Sequence, residues 1–153
     1  MMHIFIAGVM QGSRLDDKID EQDYRLTLVQ TIKENIPDAQ ITDPWALNPH
    51  SVRYDEARAR ETFYKMTAKA GEADILIAYL PIVSMGTAME MWEAFRAHTY
   101  IIAVTPHIHH WAIRFTADEI VPSLDTLIEM IKRGHLTEVI QRRAVIDSPL
   151  DAD

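Results

Sequence analysis

Apolar residues along this chain fall into two alternating patterns. Short unbroken runs, His3 to Val9, "ADILIAYLP" (Ala73 to Pro81) and "TYIIAVTP" (Thr99 to Pro106), read as strands buried on both faces, with Gln40 to Thr42 as a weaker one. Between them the apolar positions recur at helical spacing. Tyr24, Leu28, Val29 and Ile32 do so from Asp20 or Glu21 to Asn35, which Pro37 closes. A second helix is predicted from Tyr54 to Gly71, a third in "SMGTAMEMWEAF" (Ser84 to Phe95) and a fourth carrying Leu124, Leu127, Ile128 and Ile131 between Ser123 as N-cap and Gly134 as stop. Helices alternating with unalternated strands predict an α/β fold. The class is a flavodoxin-like (Rossmann-like) doubly wound parallel sheet of about five strands with helices on both faces. Residues 1–145 read as a single domain and 146–153 as a C-terminal tail, without internal repeats.

In an open sheet of this class ligands bind outside the C-terminal ends of the strands. Three loops leave such ends: "GVMQGSR", "PIVSMGT" and "PHIHHW". On the third helix, Met85, Met89 and Trp92 predict one buried stripe and Ala88, Met91 and Phe95 another, which leaves a narrow strip through Glu90 and Glu93. Glu90 then lies about one turn into the helix, near the mouth of a ligand crevice. The pattern alone leaves it open whether Glu90 is a solvated surface residue or a functional one. Ser84 is placed to cap the first turn, and Gly86 lets backbone or ligand approach closely.

A formal charge of -8 argues against a nucleic-acid polymer as partner, because backbone binding needs a basic face. With no cysteine, disulfides and thiolate metal sites are excluded, and a reducing compartment fits. The start of the chain lacks the basic region and length of a signal peptide, and no apolar run approaches a membrane span, so a cytoplasmic location is expected. His107, His109 and His110 share one loop without a carboxylate or cysteine close by, a poor ligand set. No metal and no cofactor are expected; the loop reads instead as a flank of the pocket, with Trp111 as a stacking surface. Asp74, at the entrance of a buried strand, reads as structural.

The stretch from Ala73 to Pro106, together with the opening "IFIAGVMQGSR", resembles the nucleoside 2-deoxyribosyltransferase family and its relatives, the 2'-deoxynucleoside 5'-phosphate N-hydrolases. The resemblance implies that Glu90 is the nucleophile that attacks the anomeric carbon and displaces the base. It implies a nucleoside or nucleoside 5'-monophosphate as the small-molecule partner. Ser84 occupies the place where the hydrolases have a serine for the 5'-phosphate and the transferases an aspartate, and Gly8, Gly12, Ser13 and Arg14 resemble the hydrolases' phosphate loop, with Arg14 the candidate phosphate ligand. The family's assisting aspartate would fall near Met66, where no carboxylate lies within a turn, and its orienting tyrosine on the first strand is matched by Phe5; Tyr64 or Tyr79 are substitutes. Similar proteins form dimers or larger assemblies, so a homo-oligomer is expected, with "MEMWEAF" as interface. Two further readings stand beside the enzyme: a nonenzymatic nucleotide-binding module of the same fold, and a homo-oligomeric interaction domain.

Overall fold

The four apolar runs read as strands all become strands, and a fifth joins them. In chain order the elements are β1 (His3–Gly8), α1 (Asp23–Asn35), β2 (Gln40–Thr42), α2 (Pro44–Leu47), a 3-10 turn (Ser51–Arg53), α3 (Glu56–Gly71), β3 (Ile75–Tyr79), α4 (Met85–Arg96), β4 (Tyr100–Val104), α5 (Trp111–Arg114), β5 (Glu119–Val121), α6 (Leu124–Lys132) and α7 (His135–Ile146). The computed structural model describes residues 1–12 and 14–146, so Ser13 and residues 147–153 of the expected tail lie outside the described residues. The strand β5 has only three residues, less than two strand periods, and α7 follows the predicted stop at Gly134 directly. That glycine adopts a positive φ of 85°, which ends α6 and turns the chain into another helix rather than a loop.

All strand pairs are parallel, in the order β2-β1-β3-β4-β5. Because side chains alternate across a strand, register decides what each helix layer meets. Ile6, Ile77 and Ile102 lie side by side and face α1 and α6, packing with Leu28, Ile32, Leu127 and Ile131. One residue further along, Ala7, Ala78 and Ala103 form a row on the opposite face, where Met91 and Ala94 of α4 and Ala70 of α3 pack. Small side chains across three adjacent strands let α4 sit close to the sheet near its C-terminal edge.

The strand starts are tied by carboxylates. Backbone N–H of His3 donates to Asp74 at 2.7 Å, and that of Ile101 donates to Asp118 at 2.8 Å. Asp74 therefore has a structural task that couples β1 to β3. Ser84, Asp55 and Ser123 cap α4, α3 and α6 through the backbone N–H groups of Thr87, Arg58 and Thr126. Strand order reverses between β1 and β3, and a crevice at such a switch point is where this architecture binds ligands.

Candidate active site

A cavity of about 420 Å³ opens at the C-terminal ends of β1 and β3. The end of β1 and its loop contribute Gly8, Met10, Gln11, Gly12 and Ile19. The region after β2 contributes Pro44, Asn48, Ser51, Val52 and Tyr54; α3 contributes Thr62, Phe63, Met66 and Thr67 among others; α4 and its cap contribute Ser84, Gly86, Thr87 and Glu90. Its size suits a small organic ligand. Of these lining groups Glu90 carries the one carboxyl. Five of the residues singled out in the sequence (Gly8, Gly12, Ser84, Gly86 and Glu90) thus meet in one place.

Glu90 reaches the cavity because α4 turns its other faces elsewhere. Thr87, Met91 and Ala94 face the sheet, and Met91 is buried. The expected buried stripe of Met85, Met89 and Trp92 is instead exposed, as is Phe95, whose ring stacks on Trp92 at 5.6 Å. Methionine and aromatic spacing misled the reading because the row of alanines in the sheet needs only one narrow apolar stripe from α4. Met91 therefore belongs to the core and not to any interface.

The Glu90 carboxyl has no hydrogen-bond partner among the described residues, and its side chain is part-buried. Desolvation by the surrounding protein pushes it up to about 8, with the positive charge of Arg25 acting in the opposite direction. Part of the side chain stays open to the cavity, but the protein packed around the carboxyl decides its protonation. Burial thus favours the protonated form of Glu90 at neutral pH.

Two residues beneath the cavity were not read from the sequence as part of a site. Arg25 is buried; it donates to Asp43 at 2.9 Å, to the carbonyl of Ile6 at 2.7 Å and to Gln22 Oε1 at 2.6 Å. Asp43 also caps α2 through Trp45 N–H, and Gln22 donates to the carbonyls of Val9 and Asp20. One guanidinium thereby fixes the ends of β1 and β2 and the start of the loop after β1. The signal was available: position 25 shares a helical face with Leu28 and Ile32, where a solvated arginine does not belong.

The second is Tyr24. Its hydroxyl is buried without a hydrogen-bond partner among the described residues, its ring packs on Tyr79 at 4.5 Å, and burial raises its pKa strongly, with Glu90 among the charges that contribute. A Cβ on Gly8 would lie 2.2 Å from this hydroxyl and 3.0 Å from the Tyr79 carbonyl oxygen, so Gly8 is required for space. Gly8→Ala is expected to cost about 1–3 kcal/mol in urea unfolding. Tyr24→Phe alone should leave stability unchanged or raise it, and in the double mutant part of the Gly8→Ala loss should return. Strict additivity of the two changes would show that the hydroxyl is not what excludes a side chain at position 8.

Other predicted site residues are not brought together with Glu90. Arg14 does not line the cavity; its guanidinium is held by Asp16 at 2.8 Å and Asp20 at 3.3 Å, and the hydrogen bonds from Arg14 lower the Asp16 carboxyl to about 2. Trp111 starts α5, is 74% exposed and lies against Phe115, outside the cavity lining. Ser13 lies outside the described residues. Phe5 is wholly buried in the core on the α4 face. Met66 does line the cavity, and Tyr64 and Tyr79 are not among its lining residues.

No family model matches the sequence, and no curated protein matches it. Solved structures do share its fold. A conserved protein from Enterococcus faecalis aligns with a TM-score of 0.57 at 19% identity, covering 88% of this chain and 99% of that one. The 2-deoxyribosyltransferase of the psychrotolerant bacterium Bacillus psychrosaccharolyticus aligns with a TM-score of 0.61 at 13% identity, covering 82% and 90%. The CMP N-glycosidase of Clostridium botulinum aligns with a TM-score of 0.52 at 15% identity, covering 86% and 98%. The five-stranded parallel α/β architecture expected from the sequence is thus the one these structures share with this chain.

Proposed function

We propose that this protein cleaves the N-glycosidic bond of a nucleoside or nucleoside 5'-monophosphate, with Glu90 as nucleophile. The observation that carries the reading is a single carboxyl, free of hydrogen-bond partners, lining the cavity at the switch point. Carboxyls taken out of water are normally paired, and one left without a partner in a ligand-sized cavity is available for chemistry. A carboxylate oxygen of Glu90 attacks the anomeric carbon as the bonding pair of the C–N bond leaves with the base. The oxocarbenium-like transition state is stabilised by the same negative charge. Water then cleaves the glycosyl ester and returns the carboxyl; a second base in place of water would give exchange. The fold shared with a 2-deoxyribosyltransferase and a CMP N-glycosidase supports this chemistry.

In this reading Ser84 and Gly86, at the N-terminus of α4, lie on the sugar or phosphate side, with Gly8 and Gly12 opposite. Arg14 serves as phosphate ligand only after it leaves Asp16 and Asp20. Tyr54, Phe63 and Met66 form the wall for the base. Incubation with a panel of nucleosides and 5'-monophosphates, followed by chromatography, is expected to show free base. Met66, where the resembling family carries its assisting aspartate, favours a second reading as a nucleotide-binding module without turnover. Saturable binding by calorimetry with no base released over hours would establish that reading and end the first.

A further inference from the structure

The wall of this cavity poses a chemical problem for a neutral base. As its bond to the sugar breaks, a neutral base must gain a proton or depart as an anion, and a positioned acid contributes about 10²–10⁴-fold to such a step. Among the described residues no acid is placed to do this. The lining groups of α3 are apolar or hydroxylic, Glu61 is exposed, and Glu56, also exposed, is paired with Arg60 at 2.7 Å. Tyr54, the other ionisable lining residue, donates its hydroxyl to Asn48. Glu90 serves as the nucleophile, and a group that attacks as an anion cannot also deliver the proton.

We infer that the base is itself cationic: the substrate is an N-glycoside of a quaternised ring nitrogen, of the pyridinium or N7-alkylated purine class, held between the Glu90 carboxylate and the wall of Tyr54, Phe63 and Met66. The inference rests on the N-glycosidic reading of the same cavity. When Glu90 attacks the anomeric carbon, the electron pair of the breaking bond neutralises the ring nitrogen, and the base departs uncharged without any proton. Water then hydrolyses the ester, its hydroxyl going to the sugar and its proton, through the carboxyl, to solvent.

Three features of the cavity agree. Among the described residues no lysine, arginine or histidine lines it; Arg25 is paired with Asp43 and Arg14 with Asp16 and Asp20, while the Tyr54 ring already takes one cation, the Arg58 guanidinium, at 3.8 Å. Aromatic and thioether side chains accept a flat cation on their faces. A positive charge beside Glu90 favours the ionised carboxyl that attack requires. A neutral base offers no such help to a carboxyl that desolvation holds up to about 8.

The test has two arms, both at pH 7 with the intact chain. In the first, release of free base is followed from nicotinamide riboside and 7-methylguanosine and from the neutral nucleosides guanosine and uridine; kcat/KM is expected to be at least ~100-fold higher for the cationic pair. In the second, binding of N1-methylnicotinamide is compared with that of nicotinamide, and the cation is expected to bind at least ~10-fold more tightly in wild type and to lose that preference in Glu90→Gln. Equal or faster release from the neutral nucleosides overturns the cationic class while leaving the glycosidase standing. Selective binding of the cation with no release from any substrate overturns the glycosidase and keeps the cation site. Absence of both overturns both.

Discussion

Glu90→Gln is expected to abolish base release, lowering kcat/KM by about 10³-fold or more, whereas Glu93→Ala, at a neighbouring position on α4, is expected to leave it within a few-fold of wild type. The amide keeps the shape of the side chain but can neither attack nor balance the developing positive charge. Steady-state base release on both variants checks this, and retention of activity in Glu90→Gln would assign the nucleophile elsewhere. The same substitution has a signature in stability. Desolvation raises the folded carboxyl to about 8 from its ordinary value near 4.5, so between these limits the folded chain binds more protons than the unfolded one. Stability contributed by this group is therefore present at low pH and lost as pH rises from about 4.5 to about 8. Glu90→Gln should be indistinguishable from wild type near pH 4 and more stable above pH 8, by on the order of 1–3 kcal/mol once contact with cavity water is allowed for. In kcat/KM the ionisation appears as a rise toward pH 8, because that ratio reports the free enzyme.

Arg25→Met lowers stability by about 3–5 kcal/mol in urea unfolding, the largest stability loss expected from a single side chain in this protein. Methionine fits the volume of the stem but leaves Asp43 as a buried, unpaired carboxylate, and leaves the Ile6 carbonyl and Gln22 Oε1 without their charged donor. Those groups fix the ends of β1 and β2, so cavity and stability fail together. Combining Arg25→Met with Asp43→Leu is expected to return most of the lost stability, since no charge is then left buried. A loss below about 1 kcal/mol for Arg25→Met would mean that water reaches the pair and that the cavity floor is organised by something else.

Much of this architecture is written in the periodicity. The central strands are unbroken apolar runs because both faces are covered, and their limits fall within two residues of those seen. The parallel sheet then places the loops after β1 and β3 side by side; the pattern alone groups Ser84, Gly86 and Glu90, and likeness of motif adds Gly8 and Gly12, which line the same cavity. Elements that span less than two periods give little pattern to read, as with the three residues of β5 and the four of α5. Which face of α4 is buried was misjudged because every face offered apolar residues, and the deciding term, the row of Ala7, Ala78 and Ala103, lies on other segments. Arg25 carried a signal in its helical face, whereas the want of a partner for Tyr24 depends on contacts between distant segments. Arg14 was placed by likeness of motif, and only the geometry of its own loop reveals Asp16 and Asp20 holding it.

The covalent role proposed for Glu90 is tested most directly by trapping. Enzyme quenched in acid during turnover, digested and weighed by mass spectrometry is expected to carry one sugar residue on the peptide containing Glu90, and none in Glu90→Gln. Steady base release with that peptide unmodified at every quench time, or a sugar carried on another peptide, would contradict the account.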